Sequence, residues 1–218
     1  MDRRERLRRA RLYFVTDIRP GLEQLLAAAV AGGADMVQLR DKSATDRELL
    51  AAAEVFRRVC DESGALFWLN DRADLALRCG ADGVHVGQED APPGEVRELV
   101  GADRLVGLST HSPAQLDAAL AAGEADELSV GLVWETPTKE GRAAAGLDYL
   151  RYAASHAGDR PWFAIGGIDL GNVREVIEAG ASRIVVVRAI RDAPDPAAAA
   201  RFLCAALDEA SVGAEGKP

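Results

Sequence analysis

The sequence predicts a single α/β domain with the architecture of a (β/α)8 TIM barrel. Short apolar and β-branched runs alternate strictly with Ala/Leu-rich helical stretches along the chain. The 218 residues divide into eight such pairs at about 27 residues each, which is compact but sufficient for a barrel. A doubly wound open sheet is the alternative, but it usually has fewer strands, and no single loop here stands out as its switch point.

The alternation assigns eight strands and eight helices. The strands are bounded by polar residues or Gly and span 12–16, 36–40, 66–70, 83–86, 104–108, 127–131, 162–165 and 183–187. The helices span 22–31, 46–60, 73–78, 93–99, 113–122, 147–154, 170–179 and 196–207. Three helices end in Gly-Ala before Asp or Ser, at 31–35, 79–82 and 179–182, where Gly supplies the left-handed turn into the next strand.

The barrel is expected to occupy residues 12–209 as one domain, because no Pro/Ser/Gly-rich linker divides the chain. Residues 1–11 carry six Arg and lack the apolar stretch of a secretory signal. They are interpreted as a basic N-terminal arm, either exposed or forming a short helix. Residues 210–218 show no periodicity and are interpreted as a flexible C-terminal tail.

Composition excludes several classes of protein. Lys and Arg total 26 against 35 Asp and Glu, and the net charge of −9 argues against nucleic-acid binding. Hydrophobic residues make up 48% of the chain, too many for a disordered protein, and no apolar run has the roughly 20 residues of a membrane span. Cys60, Cys79 and Cys204 form neither a disulfide framework nor a zinc motif, so a reducing, cytoplasmic location is expected.

Polar residues follow almost every predicted strand, at the end of a parallel barrel where active sites lie. The opposite end has mostly Gly, Ala and Asp in its loops. The polar segments are Gln-Leu-Arg-Asp-Lys at 38–42, Asn-Asp-Arg at 70–72, Gly-Gln-Glu-Asp at 87–90, Ser-Thr-His at 109–111, Thr-Pro-Thr-Lys at 136–139, Gly-Gly at 166–167 and Val-Arg at 187–188. This asymmetry predicts an active site.

A phosphate or other anion is the ligand that these segments indicate. Gln38, Arg40 and Lys42 have the same strand parity and therefore project together. Surface ion pairs of Arg40 and Lys42 with Asp41 or Asp46 are the alternative. Gly-Gly after the seventh strand allows backbone N–H groups to approach a phosphate, although a tight turn explains it equally well. The remaining candidates are hydroxyls and cations of the later loops: Thr136, Thr138, Lys139 and Arg188.

Asp71 and Asp90 end neighbouring strands and are candidates to share one Mg²⁺ ion, which typically takes one or two protein carboxylates with phosphate oxygens and water. Taken singly, each has a simpler interpretation. Asp71 is placed to cap the following helix, and Asp90 to cap the turn before Pro92 and Pro93.

The three histidines give no clear catalytic pattern. His85 lies within a strand and is interpreted as a core residue, and His156 as a solvated residue near a helix end. His111 is placed at the mouth as either a proton shuttle or a cap. The spacing shows no Ser/His/Asp arrangement, so nucleophilic hydrolysis is not expected.

Taken in order, the polar segments resemble those of the thiamine-phosphate synthase family. The match includes Gly-Val-His-Val-Gly-Gln-Glu-Asp at 83–90, Ala-Ile-Gly-Gly-Ile at 164–168 and Val-Val-Val-Arg-Ala-Ile at 185–190, and it runs from about residue 12 to 207. The resemblance implies a (β/α)8 enzyme that joins 4-amino-2-methyl-5-(diphosphooxymethyl)pyrimidine to 4-methyl-5-(2-phosphoethyl)thiazole. Pyrophosphate is lost from the pyrimidine with Mg²⁺ assistance, and CO₂ is also lost from the carboxylated thiazole.

The resemblance also implies a role for each matching residue. The pyrimidine diphosphate would be held by Gln38, Arg40, Lys42, Asn70, Ser109 and Lys139, of which Lys139 and Ser109 would be catalytic. One Mg²⁺ ion per site would be held by Asp71 and Asp90. The thiazole phosphate would be held by Thr136, Thr138, Gly167, Val187 and Arg188. Three residues depart from the family pattern: Leu132 and Glu135, where the family usually has Pro, and Arg188, where Ser is usual.

Two other functions remain as alternatives. A thiazole-phosphate tautomerase related to this family shares the barrel but does not need a pyrimidine diphosphate and Mg²⁺ site, so the residues of that site favour the synthase. A non-catalytic barrel that binds thiamine precursors is the second. The expected partners are small phosphorylated molecules, without nucleic acid or membrane, and the sequence leaves a homo-oligomer open.

Overall fold

Eight parallel strands form a closed barrel in the order β1 to β8, which confirms the predicted fold. The computed structural model describes residues 2–136 and 144–214. The strands are β1 Leu12–Thr16, β2 Met36–Leu39, β3 Leu66–Asn70, β4 Gly83–Val86, β5 Leu105–Thr110, β6 Glu127–Gly131, β7 Trp162–Ile165 and β8 Ile184–Val186. Pairing of β1 with β8 closes the barrel, with Leu12 opposite Ile184.

Helices cover the outside of the barrel and alternate with the strands. They are α1 Arg3–Arg9, α2 Leu22–Ala31, α3 Asp46–Ser63, α4 Ala73–Ala76, α5 Pro93–Val100, α6 Pro113–Ala122, α7 Gly146–His156, α8 Val173–Glu178, α9 Arg188–Arg191 and α10 Pro196–Ala214. The predicted helices are all present, with shifted ends in several. The sequence did not predict α9, because its four residues are too few to show a period. Within the described residues, no helix is both long and apolar enough to cross a membrane.

Aromatic and aliphatic side chains fill the lower part of the barrel interior, nearest the amino ends of the strands. Tyr13 packs against Trp68 and Phe163 in this inner cluster, with ring centroids 5.9 Å and 5.7 Å apart, respectively. A larger cluster fills the space between the strands and the helices. Since the lower barrel is packed solid, a ligand has access to the interior only from the carboxyl ends of the strands.

Asp residues in the turns that lead into β2, β4 and β6 stabilise the lower end of the barrel, where the strands begin. In each of three such turns the Asp carboxylate accepts a hydrogen bond from the backbone of the preceding odd-numbered strand. The pairs are Asp35 with Leu12 N at 3.0 Å, Asp82 with Phe67 N at 3.0 Å and Asp126 with Val106 N at 2.9 Å. These three Asp residues therefore have structural partners, as expected for the face of a barrel opposite its active site.

The N-terminal arm is a short helix, the second of the two forms expected for it. Leu7 of α1 is 2% exposed and belongs to the inner barrel cluster. The Nε atoms of Arg3 and Arg4 lie 2.8 Å from Asp82 Oδ1 and 3.0 Å from Asp126 Oδ1. The arm therefore closes the lower end of the barrel and contributes to its core.

We expect Leu7→Ala to lower the free energy of unfolding by about 2–5 kcal/mol, because it removes a buried side chain and leaves a cavity. Chemical denaturation measures this, with Arg8→Ala on the exposed side of the same helix as the control. Equal stability of both variants would show that α1 is not part of the core.

Candidate active site

A cavity of about 480 Å³ opens at the carboxyl ends of the strands. Eleven of the thirteen residues that the sequence assigned to substrates or metal line it: Gln38, Arg40, Lys42, Asn70, Asp71, Asp90, Ser109, Thr136, Gly167, Val187 and Arg188. The other two, Thr138 and Lys139, lie outside the described residues. The structure thus brings together every predicted site residue that it describes.

Gln38, Arg40 and Lys42 follow one another up the wall of the cavity. Gln38 is 3% exposed at the floor, Arg40 is partly buried and Lys42 is exposed at the rim. The shared parity of these residues therefore directs all three to the cavity, as the sequence predicted. The Gln38 amide donates a 2.5 Å hydrogen bond to the hydroxyl of Tyr13, which fixes its orientation.

Tyr13 remains a neutral hydroxyl beneath Gln38. Burial raises the pKa of Tyr13 well above its ordinary value, the negative charge of Glu127 raises it further, and the hydrogen bond from Gln38 opposes the shift. The sequence pattern did not indicate a place for Tyr13 in the site, because an aromatic residue in a strand is typical of a core.

The surface ion pairs considered for Lys42 are absent among the described residues. Its Nζ lies 3.7 Å from Asp71 Oδ2, inside the cavity. Asp46 pairs with Arg72 at 2.5 Å instead, and Asp41 accepts hydrogen bonds from the backbone N–H groups of Ser43 and of Ile18, which lies in the loop after β1. The predicted orientation of Lys42 toward the cavity is therefore the one observed.

Asp71 and Asp90 lie close enough to interact. Burial raises the pKa of Asp71 above its usual value and the charge of Asp90 adds to this, while Lys42 lowers it. Asp71 adopts a left-handed backbone conformation with φ of 62°, and α4 has no side-chain cap, so the capping role considered for Asp71 is not observed. Asp90 Oδ2 does accept a 2.7 Å hydrogen bond from the N–H of Gly87, as a turn cap would.

The two carboxylates form a pair and not a larger cluster. In the described parts of the chain, no group of three or more His, Cys, Asp or Glu side chains has a metal-binding arrangement. A pair fits Mg²⁺ better than Zn²⁺, because Mg²⁺ completes its shell with water and phosphate oxygens, whereas zinc sites use three or four protein ligands.

Ser109 is hydrogen-bonded to a buried polar network. Its Oγ lies 2.9 Å from His85 Nε2, and His85 Nδ1 lies 2.6 Å from Glu127 Oε1. His85 is buried with satisfied hydrogen bonds, as predicted, and it also lines the cavity. Spacing along the chain gave no sign of this network, because strand register brings together residues that are distant in sequence.

The loops after β6 and β7 pack tightly against each other. Gly166 and Gly167 have φ of 110° and 70°, and a Cβ on them would come within 2.6 Å of Leu132 Cα and 2.9 Å of Trp134 Cβ. The tight turn that the sequence left open is therefore present, and it brings the Gly167 backbone to the cavity. The peptide bond between Gly131 and Leu132 is cis.

The mouth of the cavity contains charges of both signs. Among the described lining residues, the cations are Arg40, Lys42 and Arg188 and the carboxylates are Asp71, Glu89, Asp90 and Asp169. Arg188, which stands where the family usually has Ser, is exposed and lies at the start of α9 beside Val187. The described lining therefore has three cations and four carboxylates.

His111 and Gln88 hold the end of β5 in place. His111 Nδ1 lies 2.5 Å from the Gly131 carbonyl oxygen, and Gln88 donates a 2.7 Å hydrogen bond to the Ser109 carbonyl. The cap of α6 is Ser112, so the capping role considered for His111 is not observed. His156 is exposed, as expected, and stacks on Tyr152 with ring centroids 3.9 Å apart.

The comparison with known proteins agrees with this site. A family model described as thiamine monophosphate synthase matches residues 12–190. The chain belongs to the thiamine monophosphate synthase family. Two relatives named thiamine-phosphate synthase are 56% identical over 198 residues in Thermus thermophilus and 52% identical over 205 residues in Acidothermus cellulolyticus. The matches cover 88% and 93% of this chain and 95% and 97% of those relatives.

The fold matches a solved structure of the same family. Thiamine phosphate pyrophosphorylase from Pyrococcus furiosus has a TM-score of 0.84 at 33% identity, covering 95% of this chain and 98% of that one. Several other barrels at 24% identity or less share the fold alone. The family resemblance that the sequence motifs carried is therefore confirmed for thiamine monophosphate synthase.

Proposed function

We propose that the protein is a thiamine-phosphate synthase, a transferase that joins the pyrimidine diphosphate to the thiazole phosphate. The observation that carries the proposal is the convergence of eleven sequence-predicted residues on one cavity. A volume of about 480 Å³ is typical of small-molecule sites. Small phosphorylated molecules are therefore the proposed ligands. The cytoplasm is the proposed location, as the cysteine content of the sequence indicated.

The proposed position of the pyrimidine diphosphate follows the increase in exposure from Gln38 through Arg40 to Lys42. Gln38 at the floor, with Asn70 and Ser109, faces the aromatic ring. Arg40 and Lys42 lie nearer the rim, where they neutralise the diphosphate. The buried amide and hydroxyl suit the polar edge of an aminopyrimidine, since buried polar groups need partners.

Asp71 and Asp90 are the proposed ligands of one Mg²⁺ ion. The pKa of Asp71 is raised in part by the charge of Asp90, so a divalent cation between them would relieve their repulsion. When bound, Mg²⁺ would stabilise negative charge on the leaving pyrophosphate. Lys42 lies beside Asp71 and is placed to contact the same phosphate group.

The thiazole phosphate is proposed to bind at the β6, β7 and β8 loops. Thr136 offers a hydroxyl, Gly167 a backbone without a side chain, and Val187 with Arg188 a backbone and a guanidinium. Thr138 is assigned to the same group on the family resemblance. Arginine binds phosphate through two parallel hydrogen bonds, so Arg188 would add a contact that the usual Ser does not make.

The reaction breaks the bond between the pyrimidine methylene carbon and a diphosphate oxygen, and the electron pair leaves with pyrophosphate. Arg40, Lys42 and Lys139 stabilise the negative charge as it develops. The lone pair of the thiazole nitrogen forms the new C–N bond, and the carboxylated thiazole also loses CO₂. Ionisation of the bond needs no nucleophilic side chain.

Binding and product measurements separate this function from the alternatives. A tautomerase would convert the thiazole without the pyrimidine diphosphate, and a binding module would take up both ligands in a calorimeter without releasing pyrophosphate. The carboxylate pair and the cations Arg40 and Lys42 favour the synthase over the tautomerase, because the tautomerase does not need a diphosphate and metal site.

We expect Lys139→Ala to lower kcat by roughly tenfold or more while the melting temperature stays unchanged. A charge-assisted hydrogen bond contributes about 1.5–3 kcal/mol, and its loss from the transition state slows the reaction by the corresponding factor. Steady-state assay of pyrophosphate release measures this. Wild-type turnover by the variant would contradict the role assigned to Lys139.

A further inference from the structure

Three neighbouring strands place His85, Gly107 and Glu127 in one row inside the barrel. His85 of β4 is in register with Gly107 of β5, which is in register with Glu127 of β6. A Cβ on Gly107 would overlap both Glu127 Oε1 and His85 Nδ1. The glycine therefore leaves the space in which the carboxylate and the imidazole hydrogen-bond across the strand between them.

Burial of the Glu127 carboxylate is energetically unfavourable, and its packing alone does not compensate for this. The residue is 0% exposed, and no described residue donates a hydrogen bond to Oε2. A buried carboxylate with an unpartnered oxygen is unfavourable compared with an apolar side chain of the same size. The hydrogen bond between Glu127 Oε1 and His85 Nδ1, 2.6 Å long, is therefore the contact through which this carboxylate can act.

The carboxylate determines the direction of the hydrogen bonds above it. An ionised Glu127 carboxylate can only accept hydrogen bonds, and in that form it requires His85 Nδ1 to be the protonated ring nitrogen. In the tautomer that carries its only ring proton on Nδ1, Nε2 accepts a hydrogen bond, and the nearby donor is the Ser109 hydroxyl at 2.9 Å. With its proton directed to His85, Ser109 presents its free lone pairs to the cavity.

We propose that Glu127 is a positioning residue, which acts through one tautomer of His85 to orient the Ser109 hydroxyl at the cavity floor. The oriented oxygen accepts a hydrogen bond from a ligand N–H group, such as the amino group of the pyrimidine. This inference rests on the proposed function for its ligand. The tautomer and the direction of the hydrogen bonds do not depend on that function.

The kinetic test is a double-mutant cycle with Glu127→Gln and Ser109→Ala. If Glu127 acts through Ser109, Glu127→Gln lowers kcat about tenfold in the wild-type background and less than about twofold in the Ser109→Ala background, with KM for the thiazole phosphate unchanged. An equal effect in both backgrounds, or no effect in either, would overturn the proposal. Labelling of Ser109 by a fluorophosphonate would also overturn it, because the serine would then be a nucleophile.

The matched control is Asp82→Asn. Asp82 is also a buried carboxylate, 2% exposed, but it lies at the lower end of the barrel and accepts hydrogen bonds from Arg57 and the Phe67 backbone. We expect this variant to lower the melting temperature and to leave kcat per folded molecule within about twofold of the wild type. This control separates a general loss of stability from a loss of the orientation of the Ser109 hydroxyl.

A second measurement needs neither a variant of Glu127 nor activity. In ¹⁵N-histidine-labelled wild-type protein, which contains three histidines, we expect the His85 ring to show a protonated Nδ1 and an unprotonated Nε2. A spectrum with the proton on Nε2 alone would overturn the proposal. Absence of synthase activity together with the expected tautomer would contradict the proposed function and leave the positioning network intact.

Discussion

Asp71→Asn is expected to lower kcat by roughly 100-fold or more and to raise the Mg²⁺ concentration needed for half-maximal activity. The substitution removes one of two carboxylates proposed to hold the metal, and loss of metal charge from the transition state costs several kcal/mol. Steady-state assays over a series of Mg²⁺ concentrations measure both effects.

The folded structure should tolerate this substitution. Asn adopts the left-handed conformation that Asp71 has, with φ of 62°, at little cost. The pKa of Asp71 is raised in the folded protein, so its ionised form is disfavoured there, and a neutral amide should leave the metal-free melting temperature at least as high as that of the wild type. Asp46→Asn, at the start of α3 outside the cavity, is the matched control. Unchanged Mg²⁺ dependence in Asp71→Asn would contradict the proposed metal site.

Arg40→Met is expected to lower kcat/KM for the pyrimidine diphosphate by roughly 10- to 150-fold. The guanidinium lies on the cavity wall between the floor and the rim, where it would contact the diphosphate, and such charge-assisted contacts contribute about 1.5–3 kcal/mol. Methionine preserves the apolar stem of the side chain and removes only the charge and its donors. Inhibition by pyrophosphate should weaken in parallel.

The effect of Arg40→Met should be specific to the pyrimidine diphosphate. Binding of the thiazole phosphate, measured by calorimetry without the pyrimidine, should be unchanged in Arg40→Met. Arg47→Met removes an exposed guanidinium from α3, outside the cavity, and should leave all parameters unchanged. If Arg40→Met weakened the binding of both substrates equally, the arginine would lie between them, which would contradict its assignment to the diphosphate.

The sequence predicted the barrel because each βα unit repeats a local pattern. Strand and helix periodicity, with Gly at the ends of helices, identified every strand within one or two residues. It did not settle whether α1 is buried, because Leu7 lies among arginines and its burial depends on the open lower end of the finished barrel. The four residues of α9 likewise lack a periodic signal.

The candidate site was predictable where polar residues end a strand, as Gln38, Asp71 and Arg188 do. Tyr13 and Glu127 were missed, because their contacts depend on the register between strands and not on spacing within one. Glu127 and Ser129 are polar residues of one parity in a short strand, and that pattern could have indicated an inward polar face. Gly107 leaves the space in which Glu127 contacts His85, and this becomes visible only when the three strands are aligned.

The proposed function is tested most directly by mixing the purified protein with the pyrimidine diphosphate, the thiazole phosphate and Mg²⁺, and measuring thiamine phosphate and pyrophosphate together. We expect the two products in equal amounts, their loss on addition of EDTA, and their return with excess Mg²⁺. Binding of both substrates without either product, or conversion of the thiazole alone, would contradict the synthase.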